Sequence, residues 1–122
     1  MTKTILIVDD SISLRQVVRM TLAGAGYDVL EAGNGQEALE VLDGRKIHLI
    51  VSDVNMPQMD GIELLKNIKQ HPHYKFTPVI MLTTESSDDK KREGKEAGAR
   101  AWVVKPFQPP VLLSAVSKLI LP

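Results

Sequence analysis

The stretch IHLIVSDVNMPQMDGIELLKNIKQ, residues 47–70, contains both kinds of segment from which the rest of the chain is built. Residues 47–52 form a short apolar run, which is typical of a buried strand. In residues 60–70, apolar side chains recur every three or four positions behind Asp60, a good helix N-cap. Between the two segments the apolar run ends on Asp53 and the chain turns. We therefore predict a strand, a loop and a helix, with a carboxylate at the strand's carboxyl end.

The same alternation continues along the chain. Apolar runs that predict strands occupy residues 4–8, 27–32, 47–52, 78–83 and 101–104. Patterns that predict helices occupy residues 13–26, 34–44, 60–70, 86–98 and 109–121, and Asn34 is expected to cap the second of them as Asp60 caps the third. Strands that are apolar throughout and alternate with helices indicate a parallel sheet covered on both faces. The sequence therefore predicts an α/β fold: a doubly wound, five-stranded parallel sheet with five flanking helices.

Two of these segments are more polar than the others. The run 27–32 carries Asp28 and Glu31, which suits a strand at the edge of a sheet. The pattern 86–98 has acidic residues in its first turn and basic residues after them, but almost no apolar stripe. We therefore expect the fourth helix to be weakly anchored.

Length and composition exclude several classes of protein. A chain of 122 residues has the size of one domain, so we predict a single domain over 1–122 without an effector domain. Its 15 basic and 15 acidic residues cancel, so no basic field attracts nucleic acid or a membrane surface. There is no cysteine for a disulfide or thiolate site, and no apolar stretch long enough for a signal peptide or membrane span. We expect a cytoplasmic protein.

Polar side chains follow four of the five predicted strands, and the carboxyl ends of parallel strands share one edge of a sheet. The residues at these ends are Asp9, Asp10, Asp53, Thr83, Thr84, Lys105 and Pro106. Three close carboxylates repel one another unless a cation neutralises them, and Mg²⁺ prefers oxygen ligands. Lys105 adds a positive charge that suits an approaching phosphoryl group, and an aspartate is already an ionised nucleophile at neutral pH. This constellation predicts a Mg²⁺-dependent aspartyl phosphate site.

Each residue taken alone has a simpler structural explanation. Asp10 would suit a helix N-cap, and Asp53 would suit a turn. Thr83 is an ordinary residue for a strand end, and Lys105 would be a solvated surface lysine. It is the coincidence of these residue types at four strand ends that indicates a functional site.

On these residues the sequence resembles the response-regulator receiver domains, and among them the single-domain CheY-like chemotaxis regulators. The matching motifs are ILIVDD (5–10), SDVNMPQMDG (52–61), MLTTE (81–85) and AWVVKPF (101–107). They occur in the family's order and spacing, and the resemblance spans essentially the whole chain. It implies a flavodoxin-like sheet with the strand order 2-1-3-4-5.

The resemblance also implies the roles of the carboxylates. Asp53 would accept a phosphoryl group from a phosphohistidine of a CheA-like sensor histidine kinase. Asp9 and Asp10 would bind Mg²⁺, which Mn²⁺ could replace, together with Asp53 and the backbone carbonyl of Asn55. The chain would then be a phosphoaccepting regulatory domain, whose only catalysis is self-phosphorylation from small donors and self-dephosphorylation.

The fourth and fifth strands would carry the switch. By resemblance, Thr83 hydrogen-bonds the phosphoryl oxygen, Lys105 pairs with it, and the peptide bond before Pro106 is cis. The aromatic residue that moves between exposed and buried positions in the family is Trp102 here, where the chemotaxis archetype has tyrosine. Because indole is larger and only donates, we expect less complete inward packing. The simpler alternative is an ordinary interfacial tryptophan.

Three residues correspond to positions beside the phosphoryl group that bear on its hydrolysis. Asn55 and Glu85 are of the types found in fast-turnover chemotaxis members. Thr84 is larger than the residue the family prefers and could narrow access to the phosphoryl group. Because these cues oppose each other, the sequence does not predict the phosphoryl lifetime.

The resemblance implies an output face over residues 86–121, formed by the fourth helix, the fifth strand and the last helix. On phosphorylation this face would switch to bind a target, such as the flagellar switch or another chemotaxis protein; a phosphatase is a further partner, and we expect a monomer. A phosphorelay shuttle or a phosphate sink is the alternative role.

Two other functions agree less well with the sequence. A haloacid-dehalogenase-like phosphatase generally has a second aspartate two residues after the first, where this chain has Asn55. A nucleotide-binding module would need a glycine-rich loop after the first strand, where this chain has DDSIS (9–13). His48, His71 and His73 form no obvious metal set, and the last two are expected to be solvated.

Overall fold

The structure is a computed structural model that describes residues 2–84 and 87–120. Its elements, in chain order, are β1 (Thr4–Val8), α1 (Ile12–Gly24), β2 (Asp28–Ala32), α2 (Gly35–Val41), β3 (Leu49–Ser52), α3 (Gly61–Gln70), β4 (Val79–Thr83), α4 (Asp88–Glu96), β5 (Ala101–Val104) and α5 (Pro109–Leu119). All strand pairs are parallel, and the order in the sheet is β2-β1-β3-β4-β5. The predicted α/β fold and the strand order implied by the resemblance are confirmed.

The sheet is buried on both faces, as the apolar strands require. Along β1, Leu6 and Val8 pack into one hydrophobic cluster with α2 and α3, whereas Ile5 and Ile7 pack into a second cluster with α1 and α5. β3 and β4 are buried throughout, while the edge strands β2 and β5 are partly exposed. The prediction that 27–32 lies at a sheet edge is confirmed. No helix of the described residues is long and apolar enough to cross a membrane.

Four helices begin with a side chain that accepts a hydrogen bond from the backbone N–H three residues on, which satisfies one of the free donors of the first turn. These N-caps are Ser11, Asn34, Asp60 and Ser87. The predicted caps Asn34 and Asp60 are confirmed. The cap of α1 is Ser11, whose Oγ accepts from Leu14 N at 3.3 Å, so Asp10 does not have the simpler capping role.

The predicted helix ends were too late. α1 ends at Gly24 rather than Gly26, and α2 ends at Val41 rather than Gly44. Both later glycines have positive φ, +95° at Gly26 and +104° at Gly44, so they lie in the turns that follow the helices. Gly26 and Gly44 therefore mark where the chain has already left the helix.

The helical spacing of Leu14, Val17, Val18, Leu22 and Ala25 predicts that these residues form the inward face of the first helix, and this prediction is partly wrong. Val18 and Leu22 of α1 are buried, but Val17 is 48% exposed and Ala25 lies exposed beyond the helix. Consecutive residues of a helix point about 100° apart, so only one of the two neighbouring valines can face the sheet.

The loop 71–77 contains an anchor that the sequence analysis missed. Tyr74 is buried, and its hydroxyl donates to the carbonyl of Arg45 at 2.7 Å and accepts from Gly44 N at 2.9 Å. His71 packs edge-on against the Tyr74 ring and is half-buried, so its predicted solvation is corrected. The tyrosine was overlooked because its polar neighbours suggested a solvated loop.

The expectation of a weakly anchored fourth helix is confirmed for the described residues. Gly94 is the one buried residue of α4. Glu85, Ser86 and Leu121 lie outside the described residues, so the predicted start of this helix and the last residue of the predicted output face do too.

Candidate functional site

The ends of β1, β3, β4 and β5 bring the predicted polar residues to one edge of the sheet. Asp9 directly follows β1 and is 4% exposed, and Asp53 directly follows β3 and is 7% exposed. Thr83, at the end of β4, is fully buried. Lys105 follows β5 and is half-buried. Asp10, Asn55 and Thr84 are exposed at the mouth of the site. The arrangement therefore has a buried charged floor and an open polar rim.

Three carboxylates converge at this edge of the sheet. One oxygen from each of Asp9, Asp10 and Asp53 lies within 4.8 Å of the others, and two of these residues are buried. Carboxylate oxygens at such separations suit a hard divalent cation, because Mg²⁺ takes one or two carboxylates and completes its shell with other oxygens. The residues present therefore fit Mg²⁺. The histidines are not part of any such cluster among the described residues.

Lys105 brings a cation into the floor of the site. Its Nζ donates to Asp9 Oδ2 at 3.1 Å and lies 3.5 Å from Asp53 Oδ2, and its side chain is 12% exposed. The Lys105–Pro106 peptide bond is cis. The backbone N–H of Lys105 donates to the carbonyl of Thr83 at 2.8 Å, which connects Lys105 to β4. The ammonium thus links the carboxylates that follow β1 and β3.

The protonation of Asp53 reflects its burial. Burial raises the pKa of Asp53 above the usual 3.8, and the charge of Asp9 raises it further, whereas the charge of Lys105 opposes the shift. The backbone N–H of Asn55, 3.4 Å from Oδ1, also favours the ionised form. Burial is the largest of these causes, so the ionised carboxylate is held at a free-energy cost that a bound cation would reduce.

The backbone around Asp53 is fixed by the neighbouring chain. Its N–H donates to the carbonyl of Val8 at 2.9 Å, and Gly61 N donates to the carbonyl of Val54 at 2.8 Å. A Cβ at Gly61 would lie only 2.0 Å from the carbonyl oxygen of Asp53. The start of α3 therefore packs directly on the backbone of Asp53, which only glycine permits. In the sequence Gly61 resembles an ordinary turn residue after Asp60, so this contact was not predicted.

Asp60 is separate from the acidic cluster. Its Oδ1 accepts from Glu63 N at 2.8 Å at the start of α3. The two aspartates of residues 47–70 therefore have different roles: Asp53 faces the site and Asp60 caps a helix.

Trp102 of β5 is partly buried and packs against α4 at Gly94. A Cβ at Gly94 would lie 2.8 Å from Cζ3 of the indole, so the ring occupies space that any larger residue would fill. The sequence analysis did not single out Gly94. A glycine within an otherwise polar helix was the available signal, since glycine inside a helix is unfavourable without a packing reason.

We expect Gly94→Ala to have opposite effects with and without the indole. In a Trp102→Ala background it should stabilise the protein by about 1 kcal/mol, because alanine is the better helix former. In the wild-type background this gain should be lost or reversed, and Trp102 emission should shift as the ring is displaced. Urea unfolding of the four proteins of this double-mutant cycle measures the coupling. Equal effects of Gly94→Ala in both backgrounds would mean that the indole does not constrain residue 94.

Known proteins share this architecture. The family model for the response regulator receiver domain matches residues 5–117. The chemotaxis protein CheY1 of Helicobacter pylori is 41% identical over 110 residues, which cover 88% of this chain and 89% of that protein. The phosphate regulon transcriptional regulatory protein PhoB of Pseudomonas aeruginosa is 40% identical over 118 residues, which cover 97% of this chain and 52% of that protein.

Solved structures agree with these sequence matches. The chemotaxis protein CheY4 of Vibrio cholerae is 49% identical, with a TM-score of 0.93, and the match covers 98% of this chain and 99% of that one. Receiver domains are regulatory parts of two-component systems and bind Mg²⁺ in an acidic pocket, and the cluster of Asp9, Asp10 and Asp53 in this chain could hold such an ion. The chain belongs to the response regulator receiver domain family and is CheY-like.

Proposed function

We propose that this receiver domain accepts a phosphoryl group on Asp53 from a sensor histidine kinase in a Mg²⁺-dependent reaction, and then binds a target, in chemotaxis. The observation that carries the proposal is the position of Asp53. Its buried carboxylate lies 3.5 Å from the ammonium of Lys105 and beside the carboxylates of Asp9 and Asp10.

The chemistry needs no general base. An ionised Asp53 oxygen attacks the phosphorus, and the bond from phosphorus to the donor imidazole nitrogen breaks with its electron pair left on nitrogen. Lys105 neutralises an oxygen of the incoming group, and the Thr83 hydroxyl donates to another. Asp9, Asp10, Asp53 and the Asn55 carbonyl would hold Mg²⁺, whose positive charge would offset the negative charge of the phosphoryl oxygens. The residues of this chain hold the acceptor in place and receive the charge.

Phosphatase activity on external substrates is the less well supported function for the same site. A phosphatase that uses an aspartyl phosphate needs a proton donor for the leaving group, and the position two residues after Asp53 is Asn55, an amide that cannot act as one. We therefore keep the activity of the chain to phosphoryl acceptance from kinases or small donors and loss of the group by hydrolysis. Asn55 and Thr84 are exposed at the rim, which supports the proposal that they influence that hydrolysis.

The proposed output face consists of α4, β5 and α5. Two grooves flank Trp102, with volumes of about 540 Å³ and 230 Å³. Their basic lining residues are Lys91, Lys95, Arg100 and Lys118. Because no carboxylate of the described residues lines either groove, the face suits a target with apolar side chains beside carboxylates. The chemotaxis names of the CheY1 and CheY4 relatives support a target in that pathway.

The test of phosphoryl acceptance uses the wild-type protein with Mg²⁺ and acetyl phosphate. The intact mass should increase by one phosphoryl group, and peptide mapping should locate it on the peptide that contains Asp53. Emission from Trp102, the one tryptophan of the chain, should change on addition of Mg²⁺ and again on addition of the donor. Chelation of Mg²⁺ should prevent the mass increase. A wild-type protein that gains no mass with Mg²⁺ and donor present would contradict the proposal.

A target in chemotaxis and a role as shuttle or sink give different results in a pull-down. With a phosphoryl mimic bound, the protein should retain the flagellar switch or another chemotaxis protein, and without the mimic it should not. Retention of a histidine phosphotransfer protein alone, independent of the mimic, would favour the shuttle or sink instead.

A further inference from the structure

Arg15 of α1 connects three parts of the fold beside the acidic cluster. Its Nη1 donates to the backbone carbonyl of Asp9 at 2.7 Å, and its Nε donates to Glu31 Oε1 of β2 at 3.2 Å. The side chain is 19% exposed, although arginine is usually a surface residue. A guanidinium presents its donors in a rigid planar fork, so the two bonds fix its orientation.

Glu31 holds this fork in place. It also accepts a short hydrogen bond from Arg19 one turn further along α1, so two arginines share one carboxylate. Arg19, and after it Arg15, keep the pKa of Glu31 below its usual value, so the carboxylate stays ionised at neutral pH. The two arginines differ because only Arg15 reaches Asp9. Arg19 is 53% exposed and donates to Glu31.

Every polar group of Asp9 has a distinct partner. The backbone N–H donates to the Ala32 carbonyl at 3.1 Å. Oδ1 accepts from Ser11 N at 2.9 Å, and Oδ2 accepts from Lys105 Nζ at 3.1 Å. The carbonyl oxygen, in the turn that directly follows β1, accepts from Arg15 Nη1. The orientation of the Asp9 carboxylate therefore depends on the Asp9 backbone, which Arg15 restrains through its bond to the carbonyl oxygen.

The space for the guanidinium is provided by the chain that follows β2. A Cβ at Gly33 would lie 3.1 Å from Arg15 Nη1, which is tighter than ordinary contact. The Gly33 N–H is in turn held by Glu37 Oε1 at 2.9 Å. Arg15 is therefore enclosed by β1, β2 and the start of α2.

We propose that Arg15 is a positioning residue for the metal-binding carboxylate of Asp9, acting through the Asp9 backbone carbonyl with Glu31 as its support. The inference rests on the proposed function, because it assigns Arg15 to the Mg²⁺ site of that reaction. Without Arg15 the turn after β1 loses a charge-assisted bond, and the Asp9 carboxylate samples orientations that do not bind the cation. Outer residues that orient metal ligands typically change metal affinity by about 10-fold to 100-fold when removed.

The test compares Arg15→Ala with Arg19→Ala. Both changes remove a cation from Glu31, but only the first removes the bond to Asp9, so Arg19→Ala is the matched control. Mg²⁺ titrations followed by Trp102 emission should show roughly 10-fold weaker binding for Arg15→Ala. Arg19→Ala should stay within about twofold of wild type. Arg15→Lys should recover the affinity only in part, because one ammonium cannot replace the fork.

Thermal unfolding without Mg²⁺ shows whether each variant is folded at the temperature of the titration, and Arg15→Lys serves if Arg15→Ala is not. Equal Mg²⁺ affinity for wild type and the Arg15 variants, or equal losses for Arg15→Ala and Arg19→Ala, would overturn the positioning role while leaving the proposed function intact. Full recovery by lysine would also overturn it. A wild-type protein that does not respond to Mg²⁺ at all would instead contradict the proposed function and the positioning role together.

Discussion

Gly61→Ala is expected to destabilise the protein by roughly 3 kcal/mol or more, because the new methyl group has no space. Its Cβ would lie 2.0 Å from the carbonyl oxygen of Asp53 and 2.8 Å from Cε of Met81. The methionine can move, but the Asp53 carbonyl belongs to the backbone after a buried central strand. The bond from Gly61 N to the Val54 carbonyl holds the two segments together. Urea unfolding at neutral pH measures the loss.

The matched control for this change is Gly24→Ala. Gly24 is also in an α-helix, but nothing lies within 4 Å of the position of its Cβ. Alanine should therefore be neutral or stabilising there, by up to about 1 kcal/mol. A Gly61→Ala protein that unfolds within about 1 kcal/mol of wild type would show that the α3 start can move away from Asp53 at little cost.

The same substitution should also reduce phosphoryl acceptance in whatever fraction remains folded. Relief of the clash requires α3 or the Asp53 backbone to shift, and displacement of the acceptor carboxylate by about 1 Å can reduce a rate by about 100-fold. Phosphorylation by acetyl phosphate, measured at a temperature where the variant is folded, separates this effect from unfolding.

The fold and the site residues at the strand ends could be predicted because both depend on local sequence patterns. Apolar runs predict the strands, and parallel strands place their carboxyl ends together, so Asp9, Asp53 and Lys105 could be expected to meet before any distance was known. Helix starts were also predictable where a polar cap precedes an apolar repeat, as at Asn34 and Asp60.

The contacts that could not be predicted join segments far apart in the chain. Gly61 is enclosed by the Asp53 carbonyl, and Gly94 by the Trp102 indole. Both contacts depend on how closely two packed segments approach, which no periodicity encodes. No sequence pattern singles out Arg15, because its two acceptors are the Asp9 carbonyl after β1 and Glu31 on β2. Side-chain patterns predict which elements pack together and not how closely they approach.

Asp53→Asn is expected to abolish phosphoryl acceptance, because an amide oxygen is not a nucleophile for this reaction and the remaining carboxylates are proposed metal ligands. Intact mass after incubation with Mg²⁺ and acetyl phosphate should be unchanged. Asp60→Asn, in the same stretch of chain, is the matched control: asparagine caps helices as well as aspartate does, so this variant should gain one phosphoryl group as wild type does. A phosphoryl group gained by the Asp53→Asn protein would place the acceptor elsewhere.

Asp53→Asn should also make the protein more stable at pH 7 when divalent cations are chelated, by on the order of 1 kcal/mol. Burial raises the folded-state pKa of Asp53 above 3.8, so its contribution to stability is complete below that pH and is lost as the pH rises through the folded-state pKa. Asparagine cannot ionise and avoids this loss. Urea unfolding in chelator should therefore show a gap in favour of Asp53→Asn at pH 7 that closes toward pH 4. A constant gap across that range would mean that the attraction of Lys105 balances the cost of burying the charge. A variant that loses stability relative to wild type as the pH rises would mean that the attraction outweighs that cost.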